Sequence, residues 1–121
     1  MKSHTDLEQS KKLAEFLPLE SADMSYSFNF DSGIYEISTT PYKSWVVPKY
    51  AQPDNGFGQI IPVWSSSALL DILPQGTRLL KSATDNTYHC DCPKGNIDKW
   101  FDNPVDACYE VIIKLHKMNL L

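Results

Sequence analysis

The pattern that most constrains this chain is its last amphipathic stretch. Val105, Cys108, Ile112, Leu115 and Asn119 follow one another at 3-4-3-4 spacing, and Val111 and Met118 widen the stripe. That predicts a helix with one broad apolar face, which must be buried against a second layer. Its ends are marked as well: Asn103 suits the N-cap, Pro104 the first helical position and Asp106 the positive end of the dipole. Lys114, His116 and Lys117 lie towards the negative end. A chain of 121 residues has surface enough to bury one core and not two, so this helix should anchor that core.

Two shorter helices are legible from their stops. Thr5 or Asp6 can cap a helix through Leu7, Lys11, Leu13, Ala14 and Leu17, halted by Pro18. Ser65 or Ser66 can cap another through Ala68, Leu69, Leu70, Ile72 and Leu73, ended by Pro74-Gln75-Gly76.

Strand signals follow each of them. Residues 25–30 alternate polar and aromatic, then Asp31-Ser32-Gly33 leads into Ile34-Tyr35-Glu36-Ile37, a hairpin in which Gly33 would take the left-handed position of a three-residue loop. Pairing Phe30 with Ile34, however, sets Phe28 opposite Glu36, and the two strands then disagree on one apolar face. Thr77–Ala83 and Thr87–Cys92 form a second hairpin about Asp85-Asn86, and Ile97–Phe101 reads as a further strand.

Between these halves the composition changes. Pro41, Pro48, Pro53 and Pro62 recur about Asp54-Asn55-Gly56-Phe57-Gly58, which denies the segment a long helix or a central strand. It reads as a long proline- and aromatic-rich loop at about 41–63, with Ser44–Val47 as a short edge strand. Tyr42, Trp45, Tyr50, Phe57 and Trp64 supply the aromatic surface that packs it down. The expected architecture is a single α+β domain over residues 1–121, a small antiparallel sheet packed on one face by two or three helices. A weak internal echo links 10–37 with 66–92, where Leu13-Ala14-Glu15-Phe16-Leu17-Pro18 parallels Leu69-Leu70-Asp71-Ile72-Leu73-Pro74.

Charge and cysteine usage narrow the function classes. The net charge of −4 comes from acids and bases mixed along the chain, with no basic stripe to neutralise phosphates, so nucleic acid is not an expected partner. Met1 to Asp6 lead into charged residues without an apolar run, and no stretch approaches the ~20 apolar residues of a membrane helix, so no membrane association is expected. The three cysteines, odd in number and at 90, 92 and 108, fit a reducing cytoplasm better than a disulfide scaffold.

Three blocks carry a resemblance. They are Asp6-Leu7-Glu8-Gln9-Ser10-Lys11-Lys12-Leu13-Ala14-Glu15 with Pro18-Leu19-Glu20-Ser21-Ala22-Asp23-Met24, then Trp64-Ser65-x-x-Ala68-Leu69-Leu70-x-x-Leu73-Pro74, and Asp102-Asn103-Pro104-Val105-Asp106-Ala107-Cys108 with Lys114-Leu115-His116. About half of the chain in this way resembles a family of small proteins of gut bacteria and their phages or mobile elements. The resemblance implies a cytoplasmic protein, carried on mobile DNA, and transfers no activity and no site residue.

The chemistry-bearing residues form no motif. His89-Cys90-Asp91-Cys92 has residue types that zinc prefers, and Cys108 or His116 could complete four ligands, but strand alternation puts Cys90 and Cys92 on one face and His89 on the other. Ser65-Ser66-Ser67, His89, Asp91, Cys108 and His116 supply nucleophile and base types without a signature, and no phosphate or calcium loop occurs. The chain therefore reads as non-enzymatic and without a cofactor, a protein–protein interaction protein whose partner surface is Trp45, Tyr50 and Phe57 of the long loop. The alternative is a metal-binding or hydrolytic protein using Cys90, Cys92, Cys108 and a histidine.

Overall fold

A computed structural model describes residues 2–29, 31–42 and 60–121. Its helices and antiparallel sheets make the fold α+β, and the chain gathers into two compact units, Asp6–Trp64 and Met1–Thr5 with Ser65–Leu121. The expected strands form two sheets, one of three strands and one of two, rather than a single sheet.

In the unit Asp6–Trp64 the first helix, α1, spans Leu7–Ala14. Asp6 caps it, accepting from the Gln9 N–H at 2.8 Å, while the Gln9 side chain accepts from the Asp6 N–H at 3.2 Å. This reciprocal box satisfies two donors that the first turn leaves open. The helix stops at Ala14, short of the expected Leu17, because the Phe16 and Leu17 N–H groups both close on the Leu13 carbonyl before Pro18. A 3₁₀ turn at Leu19–Ser21 then leads into the sheet.

The strands β1 (Met24–Asn29), β2 (Ile34–Ser38) and β3 (Ile60–Val63) lie in the order β2-β1-β3, all antiparallel. The hairpin register is one position away from the Phe30–Ile34 pairing, because Asn29 pairs with Ile34. The cause is Asn29 itself, whose side-chain oxygen accepts from the Asp31 and Ser32 N–H groups and whose carbonyl takes the Gly33 N–H at 2.7 Å. Gly33 does take the left-handed conformation, at φ +74°.

The shifted register removes the conflict over faces. Phe28 now lies opposite Tyr35 and Tyr26 opposite Ile37, with Ile61 and Val63 beside Tyr26 and Met24. All of these point to one side, as directly opposed residues must. β3 occupies the end of the expected loop 41–63; among the described strands it pairs on one side only, with β1, a position that accommodates Pro62. The α1 helix packs against β3, whose four residues are all buried. The Ser44–Val47 strand lies outside the described residues.

In the other unit α2 spans Ser66–Ile72, capped by the Ser65 hydroxyl, which accepts from the Ala68 N–H at 3.2 Å. The second hairpin pairs β4 (Arg78–Lys81) with β5 (Tyr88–Asp91), setting Leu79 opposite Cys90 and Lys81 opposite Tyr88. Ile97–Phe101 is not a strand. Lys99 N–H turns back on the Ile97 carbonyl at 2.7 Å, and within this stretch the one backbone pairing with β5 is an isolated bridge from Phe101 to Tyr88.

The last helix, α3, spans Pro104–Lys117 and packs on β5 and α2. Val105, Cys108, Ile112 and Leu115 are each 0% exposed, and burying a branched aliphatic side chain stabilises by about 1.5–3 kcal/mol. Asn119 and Met118 leave the expected stripe. Asn119 sits past the helix at φ +57°, where its N–H bonds the His116 carbonyl and the Leu120 N–H bonds the Leu115 carbonyl, a Schellman closure that exposes Met118.

Candidate functional site

Trp45, Tyr50 and Phe57, the expected partner surface, lie outside the described residues. Of the other aromatics assigned to that segment, Trp64 is fully buried and Tyr42 half-buried.

The cysteines are all buried thiols. Cys90 lies on β5 and Cys108 on α3, elements that pack against each other. Hydrogen bonding with Cys108 lowers the Cys90 thiol, against burial and the nearby Asp91 charge, and the same pairing together with burial pushes the Cys108 thiol up. Cys92 lies just past the strand, its N–H held by the Asn96 side-chain oxygen at 2.5 Å.

His116 does not join them. It is exposed, and eight positions along α3 separate it from Cys108, about 12 Å of helix. Among the described residues no group of three or more His, Cys, Asp or Glu side chains converges as a metal site, so the quartet Cys90, Cys92, Cys108 and His116 is not assembled.

The nucleophile and base types are likewise dispersed. Ser65 is engaged as a helix cap, and the His89 ring lies against Trp100 with Nδ1 3.2 Å from the Lys99 carbonyl oxygen. Asp91 accepts from Arg78 at 2.8 Å and from Asn96 at 3.2 Å, and the Arg78 hydrogen bond holds its carboxyl below the usual range.

An open cleft of about 510 Å³ in this unit draws on separate segments: Lys2, Lys81 on β4, Asn86, Tyr88 on β5, Asp102 and the α3 cap Asn103. No local motif announces it, because each segment gives one or two residues that mean nothing apart. Lys2 already pairs with Asp106 at 2.9 Å, Asn103 donates to the same carboxylate at 2.9 Å, and the Lys81 ammonium sits 5.9 Å from the Tyr88 ring centre. What remains towards the cleft is a cation and a carboxylate of opposite sign, Lys81 and Asp102, and not a field of one sign.

The remaining distinctive surface is in the other unit. Among the described residues β2 pairs only with β1, so its outer edge is unpaired by any described strand, and it carries Ile34 at 57% and Ile37 at 44% exposure with the exposed Glu36 between them. Lone exposed aliphatics are ordinary, whereas two on one edge strand combine backbone donors and acceptors with apolar area. The periodicity of 34–37 announced a strand, but which residues would be solvent-facing depended on the register set by Asn29.

Comparison with family models, with curated proteins and with solved structures found no match.

Proposed function

We propose that this chain is a non-enzymatic protein-interaction module, and that the edge strand β2 is a docking surface for an extended segment of a partner protein. The observation that carries the reading is the exposure of Ile34 and Ile37 on an edge strand whose outer backbone groups are not used by any described strand. A strand added there gains main-chain hydrogen bonds, and side-chain pairing decides which partner fits. Glu36, exposed on the same face as Ile34 and accepting from the Asn29 amide at 3.0 Å, leaves carboxylate oxygen for a partner Lys or Arg next to an apolar residue.

Trp45, Tyr50 and Phe57 are further proposed partner contacts, on their sequence alone. No helix of the described residues is long and apolar enough to cross a membrane. The proposal places the protein in the cytoplasm, where the three thiols are kept reduced.

A photo-crosslinking residue at position 37, introduced in cells, tests the reading. The expected result is a single crosslinked protein that disappears in Ile34→Asp and persists in the control Trp100→Asp, with alternate amides of β2 protected from exchange in the purified complex. Equal loss in both variants, or no crosslink from position 37, overturns it.

A further inference from the structure

We propose that the cleft bounded by Lys81, Tyr88 and Asp102 binds a small zwitterion of the amino acid or dipeptide class, its carboxylate on Lys81 and its ammonium on Asp102. The first ground is charge. Lys2 is already engaged with Asp106, and the Asn103 side chain with the same residue. Lys81 and Asp102 line the same cleft yet have no ion-pair partner among the described residues, neither each other nor a third group.

The strands hold these two charges apart. Lys81 lies opposite Tyr88 in the second hairpin, and on its other side Tyr88 exchanges both backbone hydrogen bonds with Phe101, at 2.7 and 2.8 Å. Three rows at the spacing of neighbouring strands put Lys81 and Phe101 about 10 Å apart with Tyr88 between them, and Asp102 follows Phe101. A simple anion drawn to Lys81 also meets the Asp102 charge, and a simple cation drawn to Asp102 meets Lys81. A molecule with both charges satisfies both residues at once.

Size and lining agree with such a ligand. The cleft's 510 Å³ falls within the range of small-molecule sites, roughly 300–1,000 Å³, and leaves space for a side chain beside the charged ends. Tyr88 supplies an aromatic wall. The Lys81 ammonium stands 5.9 Å from that ring centre, and an exposed cation–π contact is weak, so the lysine can turn to a ligand carboxylate and leave the ring for an aromatic side chain. Asn86, from the turn between β4 and β5, adds an amide that can donate or accept.

Titration of the isotope-labelled full-length chain with L-phenylalanine and, separately, with glycyl-L-phenylalanine tests the proposal by amide NMR shifts. The expected result is saturable shifts centred on residues 81, 86, 88 and 102 with at least one of the two, the one that saturates fixing the ligand's length. N-acetylation or carboxy-amidation of that ligand should each weaken binding by about tenfold or more, and so should Lys81→Met and Asp102→Asn, both at exposed positions. No saturable shift with either ligand up to about 10 mM, shifts centred elsewhere, or blocked ligands that bind as tightly as the parent, overturns the proposal. The blocked ligands decide the matter even where a variant fails to fold.

Discussion

The Trp64 indole N–H donates to the Ser21 hydroxyl at 2.9 Å, and Ser21 in turn donates to the Pro18 carbonyl at 2.5 Å. A fully buried tryptophan thereby finds a partner in the 3₁₀ turn that precedes β1. Ser21→Ala removes that acceptor and should cost about 1 kcal/mol. Urea unfolding checks it, and the cost should largely vanish when Trp64→Phe has already removed the donor.

Asn103 caps the helix that buries the most apolar surface, accepting from the Asp106 N–H at 2.8 Å. Asn103→Ala should destabilise by about 1–2 kcal/mol, with Asn103→Ser or Asn103→Asp recovering most of it. Denaturant midpoints of the variants test the ranking.

At the far end of the same helix Asn119 holds a left-handed backbone at φ +57°. Glycine adopts that conformation without a Cβ penalty, so Asn119→Gly should be neutral or stabilise by up to about 1 kcal/mol, whereas Asn119→Val should destabilise by about 1–2 kcal/mol. Thermal midpoints at one protein concentration separate the two directions.

The Arg78 hydrogen bond lowers the Asp91 carboxyl in the folded state. A depressed folded value means stability that is present above the unfolded carboxylate value, about 3.9, and lost as pH falls through the folded one. Arg78→Gln should raise the Asp91 midpoint in a carboxyl-detected NMR titration and flatten the acid limb of stability between about pH 4 and the folded midpoint. Because the pair is exposed, added salt should shrink the difference.

The elements whose signals are local were readable from the residues. Asn103-Pro104 and the 3-4 spacing placed α3, Ser65 and Pro74 bracketed α2, and Asp85-Asn86 marked the turn of the second hairpin. What escaped depended on partners distant in sequence. β3 was hidden because Pro62 argues against a central strand, and the pairing with β1 that makes it a strand joins residues far apart in sequence.

The first hairpin slipped by one position for a local reason that alternation cannot express, the Asn29 side chain bonding into its own turn. Asn119 matched the helical spacing yet is the residue that ends the helix. Of the site, the shared burial of Cys90 and Cys92 agrees with the single face that strand alternation gives them, while the cleft around Lys81 and Asp102 draws on segments that no spacing rule connects.

Proline has no N–H to give, so at Pro62, opposite Ser25, β3 offers one backbone donor fewer than β2, which holds no proline. If the proposed docking on β2 holds, a guest strand meets an unbroken row of alternating donors and acceptors there and a gapped one beside β3, which favours one guest per molecule.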